Sequence, residues 1–123
     1  MPRAKIKSIE ITDACDLRPE SYVPDNYEDF QCTFGLSIGP SDMDGAELFY
    51  LTVCTPKRLA KIADRDGFVW GRHHLIVPHY DLKAITQAIT KFVEGCSGEA
   101  WADVALKVSR FAGWEFEDYA KDP

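Results

Sequence analysis

Three histidines and a cysteine are the residues of this chain best suited to chemistry: His73 next to His74, His79 with Asp81 just beyond it, and Cys54 upstream. Imidazoles and thiolates bind zinc, and a thiolate beside an imidazole can act as a nucleophile. The spacing argues against both uses. Adjacent residues of a strand point to opposite faces, so His73 and His74 cannot hold one ion from a regular strand. His74 and His79 could share one with Asp81 or Cys54, but neither H-E-x-x-H nor paired C-x-x-C spacing is present, and ordinary edge or surface histidines are the simpler expectation. Cys54 precedes Thr55-Pro56, a helix-start pattern whose dipole can lower a thiol pKa; it also ends an apolar run, which points to a buried structural thiol. There is no Gly-rich phosphate loop, no G-x-S-x-G elbow and no basic aromatic stripe. No catalytic residue, metal or cofactor is expected.

The elements that would position these residues read as strands first and helices later. Lys5 to Thr12 alternates, with Ile9 and Ile11 on one face, as a half-buried strand should. Cys15 to Asp29 is rich in breakers and carboxylates and reads as a long loop. Alternation returns over Gln31 to Ile38, where Cys32, Phe34, Leu36 and Ile38 share a face. The Gly, Pro and Asp density of Gly39 to Gly45 marks a turn leading into Glu47 to Cys54, a near-continuously apolar and hence central strand. Thr55 can cap and Pro56 can open a short helix over Lys57 to Asp64. Phe68 to Val77 reads as one or two strands closing the sheet. Asp81 can cap a helix with Leu82, Ile85, Ile89, Phe92 and Val93 at helical spacing, ending near Gly95. A last helix from Ser97 or Gly98 sets Trp101, Val104, Ala105, Val108 and Phe111 on one stripe, with Gly113 as its stop. The expected fold is α+β in one domain over residues 1–123: a mainly antiparallel sheet of about four to five strands, a short middle helix, and two C-terminal amphipathic helices on one face.

Composition sets the class of partner. A 123-residue chain with 46% hydrophobic and 28% charged residues can build one globular core. Its formal charge of −6 disfavours nonspecific binding to nucleic acid or to an anionic membrane. Met1 to Lys7 has no apolar segment after it, so it does not read as a secretory signal. The longest apolar run, Leu48 to Cys54, is far short of the roughly 20 residues that span a bilayer. A cytoplasmic protein is expected, with Cys15, Cys32, Cys54 and Cys96 reduced and mostly buried.

The order of Ile38-Gly39-Pro40, Glu47-Leu48-Phe49, Val53-Cys54-Thr55-Pro56, a helix holding Trp101 and Ser109-Arg110-Phe111, and then Trp114-Glu115-Phe116-Glu117-Asp118-Tyr119 resembles the immunity protein 8 family of bacterial polymorphic toxin systems. The resemblance spans about Phe34 to Tyr119. It implies a small α+β protein that binds a cognate toxin domain in the producing cell and blocks it, and it carries over no catalytic motif.

Charge then suggests where such a partner would dock. Carboxylates crowd the long loop, the hairpin turn (Asp42, Asp44, Glu47) and the terminus (Glu115, Glu117, Asp118, Asp122), while Lys57, Arg58, Lys61 and Arg65 concentrate positive charge on the first helix. Acidic loops are ordinarily just solvated. Against a basic nuclease, exposed carboxylates would occupy phosphate subsites and speed encounter, with Trp114, Phe116 and Tyr119 as possible anchors. Glu115, Glu117 and Asp118 are therefore the first toxin-binding candidates, although alternation would turn Trp114 and Phe116 inward and leave only the carboxylates outside. Asp42 and Asp44, in the turn around Met43, are the second. Two other classes stay open: a self-associating structural or scaffold subunit, and a small-molecule or metal-binding enzyme.

Overall fold

A computed structural model of the chain describes residues 2–12 and 18–115. Its elements run β1 (Ala4–Ile11), β2 (Gln31–Pro40), β3 (Glu47–Cys54), α1 (Pro56–Asp66), β4 (His74–Ile76), α2 (Leu82–Glu94), α3 (Trp101–Val108) and β5 (Gly113–Trp114), with one 3-10 turn at Pro19–Ser21. The fold is α+β, as expected. β1, β2 and β3 form an antiparallel meander, and β3 is central: β2 pairs with one edge while β4, running parallel, and β5, antiparallel, divide the other.

The period-2 pattern of β2 and β3 decides which face is covered. Cys32, Phe34, Leu36 and Ile38 alternate inward, opposite Phe49, Leu51 and Val53 of β3, and all seven are buried. Ile85, Ile89 and Val93 of α2 and Val104, Ala105 and Val108 of α3 close this core from the other side. The opposite sheet face carries Glu10, Thr33, Ser37, Leu48, Tyr50 and Thr52, a polar mixture suited to a face left partly open to water. β1 is less regular than its alternation suggests. Its register slips between Ile6 and Ser8, a bulge that leaves Lys7 outside the ladder and free to donate from Nζ to the Met43 carbonyl oxygen at 2.9 Å.

The first two helices start where their caps require. Thr55 Oγ1 accepts from Arg58 N (3.4 Å) and also from Phe30 N (3.1 Å), so one hydroxyl starts α1 and ties it to the preceding loop. Asp81 Oδ1 accepts from Ala84 N at 3.2 Å to start α2. The third helix departs from the sequence expectation at both ends. Ser97 bridges to Arg3, and Gly98 N donates to the Pro2 carbonyl, so these residues pair with the N-terminal arm and α3 waits until Trp101. At its other end Ser109 Oγ donates to the Leu106 carbonyl at 2.7 Å and competes for helical acceptors. α3 thus ends at Val108, and Gly113 is not its stop but a residue of β5.

Phe68 to Val77 also differs. Only His74–Ile76 is a strand; Phe68 and Trp70 belong to the loop before it and are 59% and 79% exposed. A three-residue parallel pairing with β3 is all that the remaining edge accommodates, because β5 occupies the part next to Phe49 and Tyr50.

The described part of the long acidic loop is stitched down rather than free. Tyr80 makes edge-on ring contacts with Tyr22, Tyr27 and Phe30 and donates from its hydroxyl to Pro19 O at 3.2 Å. Burial pushes its phenol up to about 12. Asp29 is buried and answers two cations of α1: Lys61 Nζ donates to its Oδ2, and Arg58 Nε lies 2.7 Å from its Oδ1. The Lys61 hydrogen bond, seconded by the Arg58 charge, holds the carboxyl below its ordinary value against the opposing effect of desolvation. A pKa lowered by folding stabilises the fold above the unfolded value near 3.8, and the contribution is lost as the pH falls through the lower folded value. Asp29→Asn should therefore lower the thermal midpoint at neutral pH, with the gap to the parent closing as the pH is taken down through the carboxylate range. An unchanged gap in acid would show that the ion pair is not the cause.

Candidate functional site

The turn between β2 and β3 is where exposed carboxylates are best displayed. Gly39 makes the turn possible: a Cβ there would stand 2.1 Å from the Gly45 carbonyl oxygen, so only glycine lets the two strand ends approach this closely. Asp42 and Asp44 sit on the tip beside Met43, all exposed, and neither carboxylate makes an ion pair among the described residues. Lys7 braces the turn through the Met43 carbonyl.

The C-terminal segment arrives at this same end of the sheet. Gly113 and Trp114 pair with Tyr50 and Phe49, and Glu115 N donates to the Leu48 carbonyl at 3.2 Å. The Glu115 carboxylate in turn accepts from Leu48 N at 3.2 Å while remaining exposed. The two acidic candidates of the sequence, the turn and the terminus, are therefore neighbours at the start of β3. Trp114 is half-buried and stacks on Phe49 with ring centroids 6.2 Å apart, as the inward alternation predicts. Phe116, Glu117, Asp118 and Tyr119 lie outside the described residues.

Glu47 is the exception among the turn's carboxylates. It is half-buried, and its two oxygens accept the indole N–H of Trp101 and of Trp114, the latter at 3.3 Å. It pins α3 and β5 to the start of β3 and so builds the acidic end without presenting its own charge. In the described part of the third acidic cluster Glu28 meets Lys57 at 3.2 Å and Asp29 meets Arg58 and Lys61, while Glu20 and Asp25 stay exposed. Asp42, Asp44 and Glu115 are exposed together at one end of the sheet.

The sequence reading missed a second exposed feature on the same edge of β3. Between α1 and β4 the loop displays Phe68 and Trp70 in edge-to-face contact, with centroids 5.6 Å apart. At its far end His73 adopts φ +58°, and its Nε2 lies 3.0 Å from the Ser109 carbonyl. Gly113 allows this approach, because a Cβ there would meet the His73 ring at 3.1 Å. Such a residue in the left-handed region is uncommon and is held by its surroundings. Thr52 N donates to His73 O, which fixes the end of the aromatic loop to the strand that carries the acidic end.

The residues first weighed for chemistry are placed otherwise. His74 Nδ1 lies 2.8 Å from the Arg72 carbonyl, and His79 is exposed. Among the described residues no three His, Cys, Asp or Glu side chains converge as a metal site. Burial pushes the Cys54 thiol up, the opposite of activation. Cys32, Cys54 and Cys96 are buried; Cys15 lies outside the described residues.

Comparison with known families matches the model of Immunity protein 8 over residues 4–119. The chain belongs to the Immunity protein 8 family. No curated protein and no solved structure gives a match. The family extent takes in all eight strands and helices, so membership covers the acidic end and the aromatic loop alike. Membership of an immunity protein family implies a toxin protein as the partner. No helix among the described residues is long and apolar enough to cross a membrane.

Proposed function

We propose that this immunity protein neutralises its cognate toxin domain in the cytoplasm of the producing bacterium by binding it, without catalysis, and blocking its active site. The docking surface is the acidic end of the sheet: Asp42, Asp44 and Glu115, with Glu117 and Asp118 following in the sequence. The supporting observation is selective neutralisation. Glu28 and Asp29 are paired with α1 and Glu47 with two indoles, whereas Asp42 and Asp44 stand exposed on a turn braced by Lys7. Exposed carboxylates on a chain of net charge −6 suit a basic cleft, such as the phosphate-binding site of a nuclease. The match of opposite charge would act chiefly on the rate of encounter.

The toxin to test is the one encoded beside this gene. Replacing Asp42 and Asp44 together with Lys should slow association about tenfold or more at low ionic strength while leaving the thermal midpoint in place. The parent on-rate should itself fall as salt is added. Stopped-flow association that ignores both salt and the charge reversal would remove the acidic end from the interface.

A further inference from the structure

The outer faces of α2 and α3 enclose a groove of about 610 Å³ whose lining includes Ala88, Lys91, Phe92, Cys96, Lys107 and Arg110. Three cations and no carboxylate line it, on a chain whose net charge is −6. Lys91 and Arg110 are exposed and make no ion pair among the described residues, while Lys107 Nζ donates to the Ser97 carbonyl at 2.6 Å. Burial pushes the Cys96 thiol up, and Lys107 and Arg110, which line the same groove, pull it partway back.

A second cavity adjoins the first. It measures about 190 Å³, is walled by Leu51, Leu75, Ile89, Phe111 and the His74 ring, and shares Ala88 and Phe92 with the groove. Phe92, which lines both, has its ring centroid 4.2 Å from that of Phe111 and is 43% exposed. The outer groove thus offers positive charge, and the inner cavity offers space for one apolar side chain.

We propose that this groove is a second binding site, separate from the acidic end, for a peptide segment that carries carboxylates beside an aliphatic or aromatic side chain. The apolar side chain enters the inner cavity past Phe92, and the flanking carboxylates meet Lys91, Lys107 and Arg110. Charge complementarity selects the acidic segment, because three cations line the groove and two of them, Lys91 and Arg110, make no ion pair among the described residues. The same net charge opposes an anionic membrane, and a concave site of this size suits a chain segment better than a bilayer surface.

A fluorescein-labelled hexapeptide of alternating aspartate and leucine, titrated by anisotropy at low ionic strength, provides the test. Saturable binding is expected, with a loss of at least about tenfold when Asn replaces each Asp, when Ser replaces each Leu, or when the protein carries Lys91→Glu with Arg110→Glu. Should that double variant fail to fold by circular dichroism, Lys91→Gln with Arg110→Gln takes its place. Equal affinity in any of the three comparisons overturns the site. Binding of phosphatidylglycerol vesicles that depends on Lys91 and Arg110, without peptide binding, overturns the peptide assignment. None of the acidic-end carboxylates lines the groove, so either outcome is independent of toxin binding there.

Discussion

Replacing Trp70 with Ala should weaken the complex with the toxin by about 2–4 kcal/mol, thirtyfold to several-hundredfold in Kd, while leaving the fold intact. Trp70 is 79% exposed and touches Phe68 edge-on, a large apolar surface that the monomer does not use. Leaving such rings in water is unfavourable, at roughly 25 cal/mol per Å² of apolar area, so an exposed aromatic pair on an anchored loop reads as a surface kept for a partner. The loop is held at its end by His73, which bonds to Ser109 and to Thr52, so little ordering entropy remains to oppose binding. Because Trp70 is outside the core, truncation should change the unfolding midpoint by no more than a surface substitution does. Isothermal titration with the cognate toxin, paired with a denaturant melt of the variant alone, separates the two quantities. Unchanged affinity would leave the acidic end as the whole of the contact surface and make Phe68 and Trp70 merely solvent-exposed.

The aromatic loop was not legible in the sequence, and the reason is physical. Phe68-Val69-Trp70 has the composition of a strand, and composition alone cannot tell a ring that is buried from one left exposed. What decided it was the far edge of β3, where β5 pairs with Phe49 and Tyr50 and leaves a parallel strand only the stretch from Thr52 to Cys54. That is a non-local competition with no signature near Trp70. Local signals were dependable where a side chain acts on its own backbone, as at Thr55 and Asp81, or where period-2 alternation selects a face, as in β2. The late start of α3 shows the limit, since the backbone of Ser97 and Gly98 is used by residues at the far end of the chain.

For the candidate site, the residue types were legible and their grouping was not. Asp42, Asp44 and Glu115 stood out as acidic, but only the pairing of Glu115 with Leu48 makes the turn and the terminus neighbours. Conversely, Glu28, Asp29 and Glu47 looked equally available and are consumed by Lys57, by Arg58 and Lys61, and by two indoles. A count of charges cannot distinguish a carboxylate that holds the fold from one that meets a partner. Its hydrogen-bond partners can.

Phe34→Ala should abolish protection by a different route, and the contrast with Trp70 tests the division between fold and surface. Phe34 is fully buried at the middle of β2, opposite Ile11 of β1 and Leu51 of β3, and belongs to the single core that α2 and α3 close. Truncating a buried Phe costs about 3–5 kcal/mol, the lost transfer energy plus the cavity left behind. Against the roughly 5–15 kcal/mol that stabilises a domain, that is about a fifth of the total or more. The variant should melt far below the parent and be depleted in cells by proteolysis. Protein that stays folded at low temperature should still bind toxin with near-parent affinity, because Phe34 is buried against the helices whereas Asp42, Asp44 and Trp70 are exposed. Trp70→Ala should show the reverse: normal abundance and midpoint with lost affinity. If Phe34→Ala instead kept its stability, or lost affinity while still folded, the core would not be the separate layer from the binding surface that its burial indicates.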